Sequence, residues 1–168
     1  MKKFLFVFFF ITVAYGSNLE WDANTEENLA GYNMYRSTTQ GTGYVKLNSS
    51  LILCGSNDTS CTKYTDDTIV ANERYYYVCT AVNTEDTPLE STYSNEVTYS
   101  ICSGDVNGDF SRDIMDVVAI ANHITENILI TGDYLLAADV NQDGNVNIID
   151  VVFLLNYIVG NTPMDDCP

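Results

Sequence analysis

The chain has 168 residues, and its 23 acidic side chains against 7 basic ones give a formal net charge of −16. A balance this acidic argues against nucleic acid or an anionic membrane surface as the partner, because both of these carry negative charge themselves. The length allows two small domains but not a catalytic barrel of about 250 residues.

The first segment is typical of an export signal. Met1-Lys2-Lys3 provides a basic start, an apolar run follows from Phe4 to Ala14, and Gly16 is a small residue suited to cleavage. This order is that of a secretory signal peptide, and the apolar run is short for a membrane span. We predict a signal peptide over residues 1–16 and a secreted or cell-surface protein without a membrane span after cleavage. An uncleaved anchor is the alternative.

Residues 17–100 predict an all-β domain. The segment is rich in Tyr, Thr, Val, Asn and Ser, and turn residues recur at short intervals. The predicted strands are residues 19–21, 31–37, 44–47, 62–66, 74–83 and 91–100. Alternation places every second residue from Tyr75 to Ala81 on one face, which we take as the inward one. Trp21 is predicted to enter the core.

Two twelve-residue segments further along share the ligand spacing of a calcium loop. The first runs from Asp105 to Asp116, and the second begins 34 residues later and runs from Asp139 to Asp150. Calcium takes six to eight oxygen ligands, which such loops supply at positions 1, 3, 5, 7, 9 and 12. We therefore predict two Ca²⁺ ions. The predicted ligands are Asp105, Asn107, Asp109, Ser111, Asp113 and Asp116 in the first loop, and Asp139, Asn141, Asp143, Asn145, Asn147 and Asp150 in the second.

The two loops differ at position 6, where the turn favours glycine. The second loop has Gly144 there, whereas the first has Phe110. A non-glycine residue with positive φ costs about 1 kcal/mol or more. We predict tighter calcium binding at the second loop, although the additional carboxylate of Asp113 offsets part of the cost. Acidic surface turns without a metal are the alternative for both loops.

Each loop leads into an apolar helix, predicted over residues 117–124 and 151–158. A middle helix is predicted over residues 131–136 with Thr131 as its cap. The carboxylates clustered in each loop repel one another until a cation is bound. Calcium binding and folding of this region should therefore be coupled.

The paired loops and helices resemble the dockerin module. The segments Gly104–Asn107 and Ala137–Gly144 carry the resemblance, which covers about Cys102 to Cys167. It implies a small all-α calcium-binding domain over residues 101–168, which docks onto a cohesin-type partner in cellulosome-like assembly and polysaccharide degradation. The resemblance also implies that partner choice depends on loop positions 10 and 11. These positions hold Ile114, Met115, Ile148 and Ile149, for which packing inside the module is the alternative.

The residues before this module resemble a fibronectin type III domain. The carrying segments are Leu19–Asp22, Gly31–Arg36, Tyr75–Asn83 and Glu90–Val97. The resemblance implies a β-sandwich over residues 17–100, with Tyr75 as its tyrosine corner. The fold class is thus multidomain, an all-β sandwich followed by an all-α module of two loop–helix repeats. Cleavage after Gly16 would leave little room for the first strand, so either the sandwich lacks it or the gene begins further upstream.

Five cysteines are compatible with an exported, oxidised protein. Cys54 and Cys61 flank a short polar loop and suit a local disulfide. Cys102 and Cys167 bracket the calcium module, whose pseudo-twofold symmetry would bring its ends together. Cys79 would then be a buried free thiol. Spacing alone does not determine connectivity, and five unpaired cysteines remain the alternative.

His123 is the one histidine in the chain, and the sequence offers no convincing Ser/His/Asp or Cys/His constellation around it. We predict a noncatalytic protein that docks onto its partner through the calcium module. A calcium-stabilised structural spacer and a fragment of a larger secreted polysaccharide hydrolase are the alternatives. Carbohydrate is a further candidate ligand, because tyrosine rings can stack on sugars, although packing within the sheet explains most of the tyrosines.

Overall fold

The computed structural model describes residues 11–13, 18–24, 26–53, 59–85, 87–164 and 167. The chain divides into two compact units. One comprises Met1–Asp67 with Tyr75–Tyr99, and the other comprises Thr68–Arg74 with Ser100–Pro168. The division near residue 100 lies beside the predicted domain boundary. Segment 68–74, which the sequence places within the first domain, belongs instead to the second unit.

The first unit is an all-β sandwich, as the composition predicts. The strands are β1 (Ile11–Val13), β2 (Asn18–Trp21), β3 (Leu29–Ser37), β4 (Val45–Lys46), β5 (Ile52–Leu53), β6 (Lys63–Thr65), β7 (Arg74–Asn83) and β8 (Val97–Ser100). Strands β1, β2 and β6 form one sheet, and β4, β3, β7 and β8 form the other in that order, with β5 also paired to β3. The pairs β1–β2, β2–β6, β3–β4, β3–β5 and β3–β7 are antiparallel.

Strand β1 lies inside the segment predicted to be the signal peptide. Ile11 pairs with Trp21 and Val13 pairs with Leu19. Of the two alternatives for the first strand, a sandwich that lacks it does not hold while residues 11–13 are attached, because β1 pairs with β2. Cleavage after Gly16, a residue outside the described ones, stays a prediction and would remove this strand from the sheet.

The core of the sandwich lies between the inward faces of β3 and β7 and those of the opposite sheet. Alternate residues of β7 from Tyr75 to Ala81 are at most 5% exposed, as predicted for an inward face, and Val78 and Thr80 between them are also buried at 2% each. Trp21 is 4% exposed, and its ring meets that of Tyr32 edge-on at 5.3 Å between centroids. Such aromatic pairs add about 1 kcal/mol beyond the burial of their area.

One end of this core contains a buried ion pair. Arg36 Nη1 lies 2.7 Å from Asp66 Oδ2, and the Tyr77 hydroxyl donates to the same oxygen at 2.9 Å. The Arg36 guanidinium lies 4.7 Å from the centroid of the Tyr75 ring. Burial raises the pKa of Tyr77, and the Asp66 carboxylate acts in the same direction, so this phenol stays protonated as a donor.

The last strand is shorter than predicted, because serine side chains interrupt the ladder before it. Ser91 Oγ accepts the Ala81 N–H at 2.9 Å, and Ser94 Oγ accepts the Cys79 N–H at 3.0 Å. Serine side chains compete in this way with regular strand pairing. The prediction of a strand from residue 91 is therefore wrong, and β8 begins at Val97.

The second unit contains three helices, α1 (Ile114–Ile124), α2 (Tyr134–Ala138) and α3 (Ile148–Ile158). The predicted cap of the middle helix is wrong. Gly132 has φ +63°, and α2 begins after Asp133, whose side chain makes no capping hydrogen bond. The core of this unit is formed by Val117, Ile120, Ala137, Ala138, Val151 and Leu154.

Candidate calcium loops

The first predicted loop folds around its own side-chain oxygens. Asp105 accepts the N–H groups of Gly108 at 2.7 Å and Phe110 at 3.0 Å. Asn107 Oδ1 accepts from Asp109 N at 2.8 Å, and Asp109 Oδ1 accepts from Ser111 N at 2.8 Å. These three candidate ligands thus stabilise the turns that follow them along the loop.

The second loop repeats this arrangement. Asp139 accepts from Asp143 N at 3.0 Å and from Gly144 N at 2.8 Å. Asn141 Oδ1 accepts from Asp143 N at 3.0 Å, and Asp143 Oδ1 accepts from Asn145 N at 2.9 Å. The repeat seen in the sequence is therefore also a repeat of hydrogen bonds.

Position 9 of each loop begins the helix that follows. Asp113 and Asn147 are the N-caps of α1 and α3, and both form capping boxes with the residue at position 12. In these boxes Asp116 accepts from Asp113 N at 3.0 Å, and Asp150 accepts from Asn147 N at 2.8 Å. The last ligand candidate of each loop is thereby held on the first turn of a helix.

Asp116 and Asp150 are the most enclosed acids of the two loops. Both are 0% exposed, and neither takes part in an ion pair with another side chain in the described part of the chain. Burial raises the pKa of Asp116, and the Asp105 carboxylate adds to this effect, while N–H groups of Asp113 and Val106 oppose it. A buried carboxylate without a cation is costly.

The donor set of each loop fits calcium. All its candidate ligands are carboxylate, amide, hydroxyl or carbonyl oxygens, which are the groups that this hard cation prefers. Within the described ranges, no three acidic, His or Cys side chains form by themselves a group that could hold a metal ion. The amide and backbone oxygens of the loop would have to complete the coordination. The number of ions stays a proposal.

Each loop contains two residues in the left-handed conformation, and sequence reasoning found only one of them. Phe110 has φ +64° and Gly144 has φ +88° at position 6, but Gly108 at +75° and Gln142 at +57° share this conformation at position 4. A Cβ on Gly108 would lie 2.3 Å from the Tyr134 hydroxyl, so a larger residue there would have to displace the Tyr134 side chain. Each loop therefore has one strained non-glycine residue. Backbone strain thus gives no reason to expect tighter calcium binding at the second loop than at the first.

Replacing the strained residue of either loop by glycine is expected to tighten calcium binding at that loop. Phe110 is 83% exposed, so Phe110→Gly relieves backbone strain with little loss of packing. The gain of about 1 kcal/mol corresponds to about fivefold in affinity. Gln142→Gly should do the same for the second loop, and Gly144→Ala should weaken it. Calorimetric calcium titration measures these changes, and an unchanged first site in Phe110→Gly would contradict the expectation.

The four predicted partner-binding residues lie on the surface rather than inside the unit. The exposed fractions are 55% for Ile114, 59% for Met115, 62% for Ile148 and 48% for Ile149. The alternative of packing inside the module does not hold for them. Sequence reasoning missed their neighbours one turn later, Val118, Val152 and Phe153, which are 47–49% exposed. Their spacing on the helix face is the signal that would have found them.

One predicted disulfide is present. Cys102 and Cys167 are bonded, with their Cα atoms 5.2 Å apart, and Cys79 is a buried free thiol. Cys61 is also disulfide-bonded, whereas Cys54 lies outside the described residues, so the pairing of these two stays a prediction. Burial raises the pKa of Cys79 to about 11, which keeps it an unreactive thiol at neutral pH.

Two of the comparisons with known proteins give matches. Residues 103–159 match the family described as the dockerin type I domain, which is the module that the resemblance predicts. A solved structure described as an Fn3-like protein from Clostridium thermocellum is 32% identical to this chain. The match covers 48% of this chain and 71% of that one, with a TM-score of 0.36. Comparison with curated proteins gives no match.

Proposed function

We propose that this protein is a noncatalytic, secreted adaptor whose dockerin domain binds two calcium ions and docks onto a cohesin-type partner. The supporting observation is the pair of apolar surfaces at equivalent positions of the two repeats. We name the surface of Ile114, Met115 and Val118 the α1 face, and that of Ile148, Ile149, Val152 and Phe153 the α3 face. The biological setting that we propose is polysaccharide degradation or surface assembly.

Exposed apolar clusters of this kind favour a protein partner. Scattered apolar residues on a surface need no explanation, but contiguous ones rimmed by polar groups mark interaction sites. Here each cluster begins at position 10 of a calcium loop, so the loop sets its position. Calcium would thus control docking indirectly, by holding the first turn of each helix in place.

Export is consistent with the chemistry of the chain. The Cys102–Cys167 disulfide requires an oxidising compartment to persist. No helix among the described residues is long and apolar enough to cross a membrane. The disulfide supports a secreted or cell-surface location, and the signal peptide over residues 1–16 is part of the proposal.

Binding to recombinant cohesin-type domains tests this function. We expect the full chain to be captured in calcium and released by a chelator. The double variant Ile148→Asp/Ile149→Asp should weaken capture, because it places two charges in an apolar contact. The matched control is Ile128→Asp/Leu129→Asp, which adds the same charges at exposed apolar residues of the connection between α1 and α2. Calcium-dependent folding with no capture by any cohesin-type domain would favour the structural spacer.

Two other assignments are kept as separate proposals. A fragment of a larger polysaccharide hydrolase would be shown by a catalytic domain encoded in the same gene. A carbohydrate ligand is favoured by the surface cluster of Tyr35, Tyr44 and Tyr93, in which Tyr93 lies 5.3 and 5.0 Å from the other two ring centroids. Unchanged migration of the protein in gels containing soluble polysaccharides would contradict the carbohydrate proposal.

A further inference from the structure

The two calcium repeats have equivalent surroundings in sequence but not in structure. With the offset of 34 residues, Ile101, Cys102 and Ser103 correspond to Leu135, Leu136 and Ala137. Likewise Arg112 corresponds to Val146, and Tyr157 on α3 corresponds to His123 on α1. We name two surfaces from these residues. The repeat-1 seat is formed by Ile101, Cys102, Ser103, Arg112 and Tyr157, and the repeat-2 seat by Leu135, Leu136, Ala137, Val146 and His123.

The repeat-1 seat is covered by other parts of the same unit. Asn72 N donates to the Ile101 carbonyl at 2.7 Å, and Asn72 Oδ1 accepts from Ser103 N at 2.9 Å. The Arg112 guanidinium donates to the same Oδ1 at 3.4 Å and lies 5.4 Å from the centroid of the Tyr157 ring. Segment 68–74 therefore occupies this seat.

The C-terminal tail covers the same seat from another direction. Cys167 is bonded to Cys102, and the terminal methyl of Met164 would lie 3.6 Å from a Cβ on Gly104. As a result, Ile101 is 6% exposed and Cys102 is 7% exposed. Ile101 and Cys102 therefore offer almost no apolar surface to a partner.

The repeat-2 seat is open. Leu135 and Leu136, the counterparts of those two buried residues, are 41% and 40% exposed. They line a cleft of about 440 Å³ together with His123, Val146 and the second calcium loop. Ligand clefts are commonly about 300–1,000 Å³, so the space accommodates more than one side chain.

The cleft also contains one oriented hydrogen-bond donor. His123 Nδ1 accepts the backbone N–H of Ile130 at 3.0 Å, which leaves the proton of the neutral ring on Nε2. Nε2 has no hydrogen-bond partner among the residues that the structure describes. Leu135, Leu136 and Val146 supply the apolar part of the lining, and Asp139 and Asn145 of the second calcium loop supply polar groups beside the His123 donor. This mixture suits an apolar side chain next to the polar backbone of an extended peptide.

We propose, given the docking function above, that the repeat-2 seat takes an apolar peptide segment of the docking partner, and that the partner therefore binds preferentially across repeat 2. Val146, one of the residues that line the cleft, stands two residues before Ile148, the first residue of the α3 face. The corresponding seat of repeat 1 is covered by segment 68–74 and by the tail. A second copy of this chain is disfavoured as the occupant, because each copy carries a net charge of −16.

Calorimetric titration of the full chain with a cohesin-type domain that is found to bind it tests this asymmetry. Leu135→Ser/Leu136→Ser should weaken binding about tenfold. The control variant Ile128→Ser/Leu129→Ser replaces two apolar residues that are more exposed and lie outside the cleft, and it should leave binding unchanged. Ile148→Asp/Ile149→Asp should weaken binding at least about 100-fold, and Ile114→Asp/Met115→Asp less than about threefold. Calcium-dependent helical circular dichroism checks folding, and Leu136→Ser alone is the milder variant if the double one does not fold.

The outcomes separate this inference from the function on which it depends. Absence of binding by the unaltered chain to every cohesin-type domain would overturn both. Binding by the unaltered chain that Leu135→Ser/Leu136→Ser leaves unchanged would overturn the seat alone, and equal losses from the α1-face and α3-face variants would overturn the preferred orientation. Self-association in sedimentation that the Leu135→Ser/Leu136→Ser variant abolishes would identify a second copy as the occupant instead.

Discussion

Chelation of calcium is expected to unfold the C-terminal unit while the sandwich stays folded. The two loops contain Asp105, Asp109, Asp113 and Asp116, and Asp139, Asp143 and Asp150. Without a cation these carboxylates repel one another, and Asp116 and Asp150 are also fully buried. A ligand at a thousandfold excess over its Kd stabilises the folded state by about 4 kcal/mol, which is a large share of the stability of a small unit.

Two spectroscopic signals distinguish the units. Helical circular dichroism reports on the unit that contains all three α-helices, and fluorescence of Trp21, the one tryptophan of the chain, reports on the sandwich. Asp150→Ala should reproduce the effect of the chelator at moderate calcium concentrations. Glu73→Ala removes an exposed acid of the same unit outside both loops and serves as the control. Retention of the full helical signal in chelator would refute the coupling.

The second large effect that we expect is a loss of stability of the sandwich when the buried carboxylate of Asp66 is removed. Asp66→Ala should lower the free energy of unfolding by about 3–5 kcal/mol, because it leaves the Arg36 guanidinium without its charged neighbour in a largely enclosed site. The Asp66 side chain is 1% exposed and that of Arg36 is 22% exposed. Replacing both at once, as in Arg36→Met/Asp66→Leu, should cost less than Asp66→Ala.

The surface ion pair of the same unit provides the control. Lys63 Nζ lies 2.5 Å from Glu20 Oε1, but these side chains are 63% and 36% exposed. Glu20→Ala should therefore cost at most about 1 kcal/mol, because solvent screens such pairs. Urea unfolding in calcium, followed by Trp21 fluorescence, measures all of these variants. A loss in Asp66→Ala no larger than that in Glu20→Ala would show that the buried pair does not stabilise the sandwich.

Much of the fold could be predicted because its signals are local. Strand β7 has the bounds that alternation predicts, since a period of two along ten residues is readable without knowledge of the rest of the chain. Strand β8 was misplaced because Ser91 and Ser94 replace ladder bonds with side-chain ones. The start of α2 was misplaced because Gly132 takes a left-handed conformation before it. Both errors come from hydrogen bonds and dihedral angles that composition does not reveal.

The sequence by itself determined which residues form the two candidate calcium loops. All the candidate ligands of one loop lie within twelve residues, so their spacing alone brings them together around one point. The apolar residues at positions 10 and 11 follow from the same local register. These features could be predicted because the residues that form them are close together in the sequence.

Only the tertiary structure decided how the two repeats differ. Segment 68–74 and Cys167 are distant in sequence from residues 101–103, and spacing alone could not show that both lie on the repeat-1 seat while the repeat-2 seat stays open. The strain at Gln142 likewise appeared only with its dihedral angle. Two nearly equivalent sequences therefore have different surfaces, because burial depends on which remote segments fold back onto each of them.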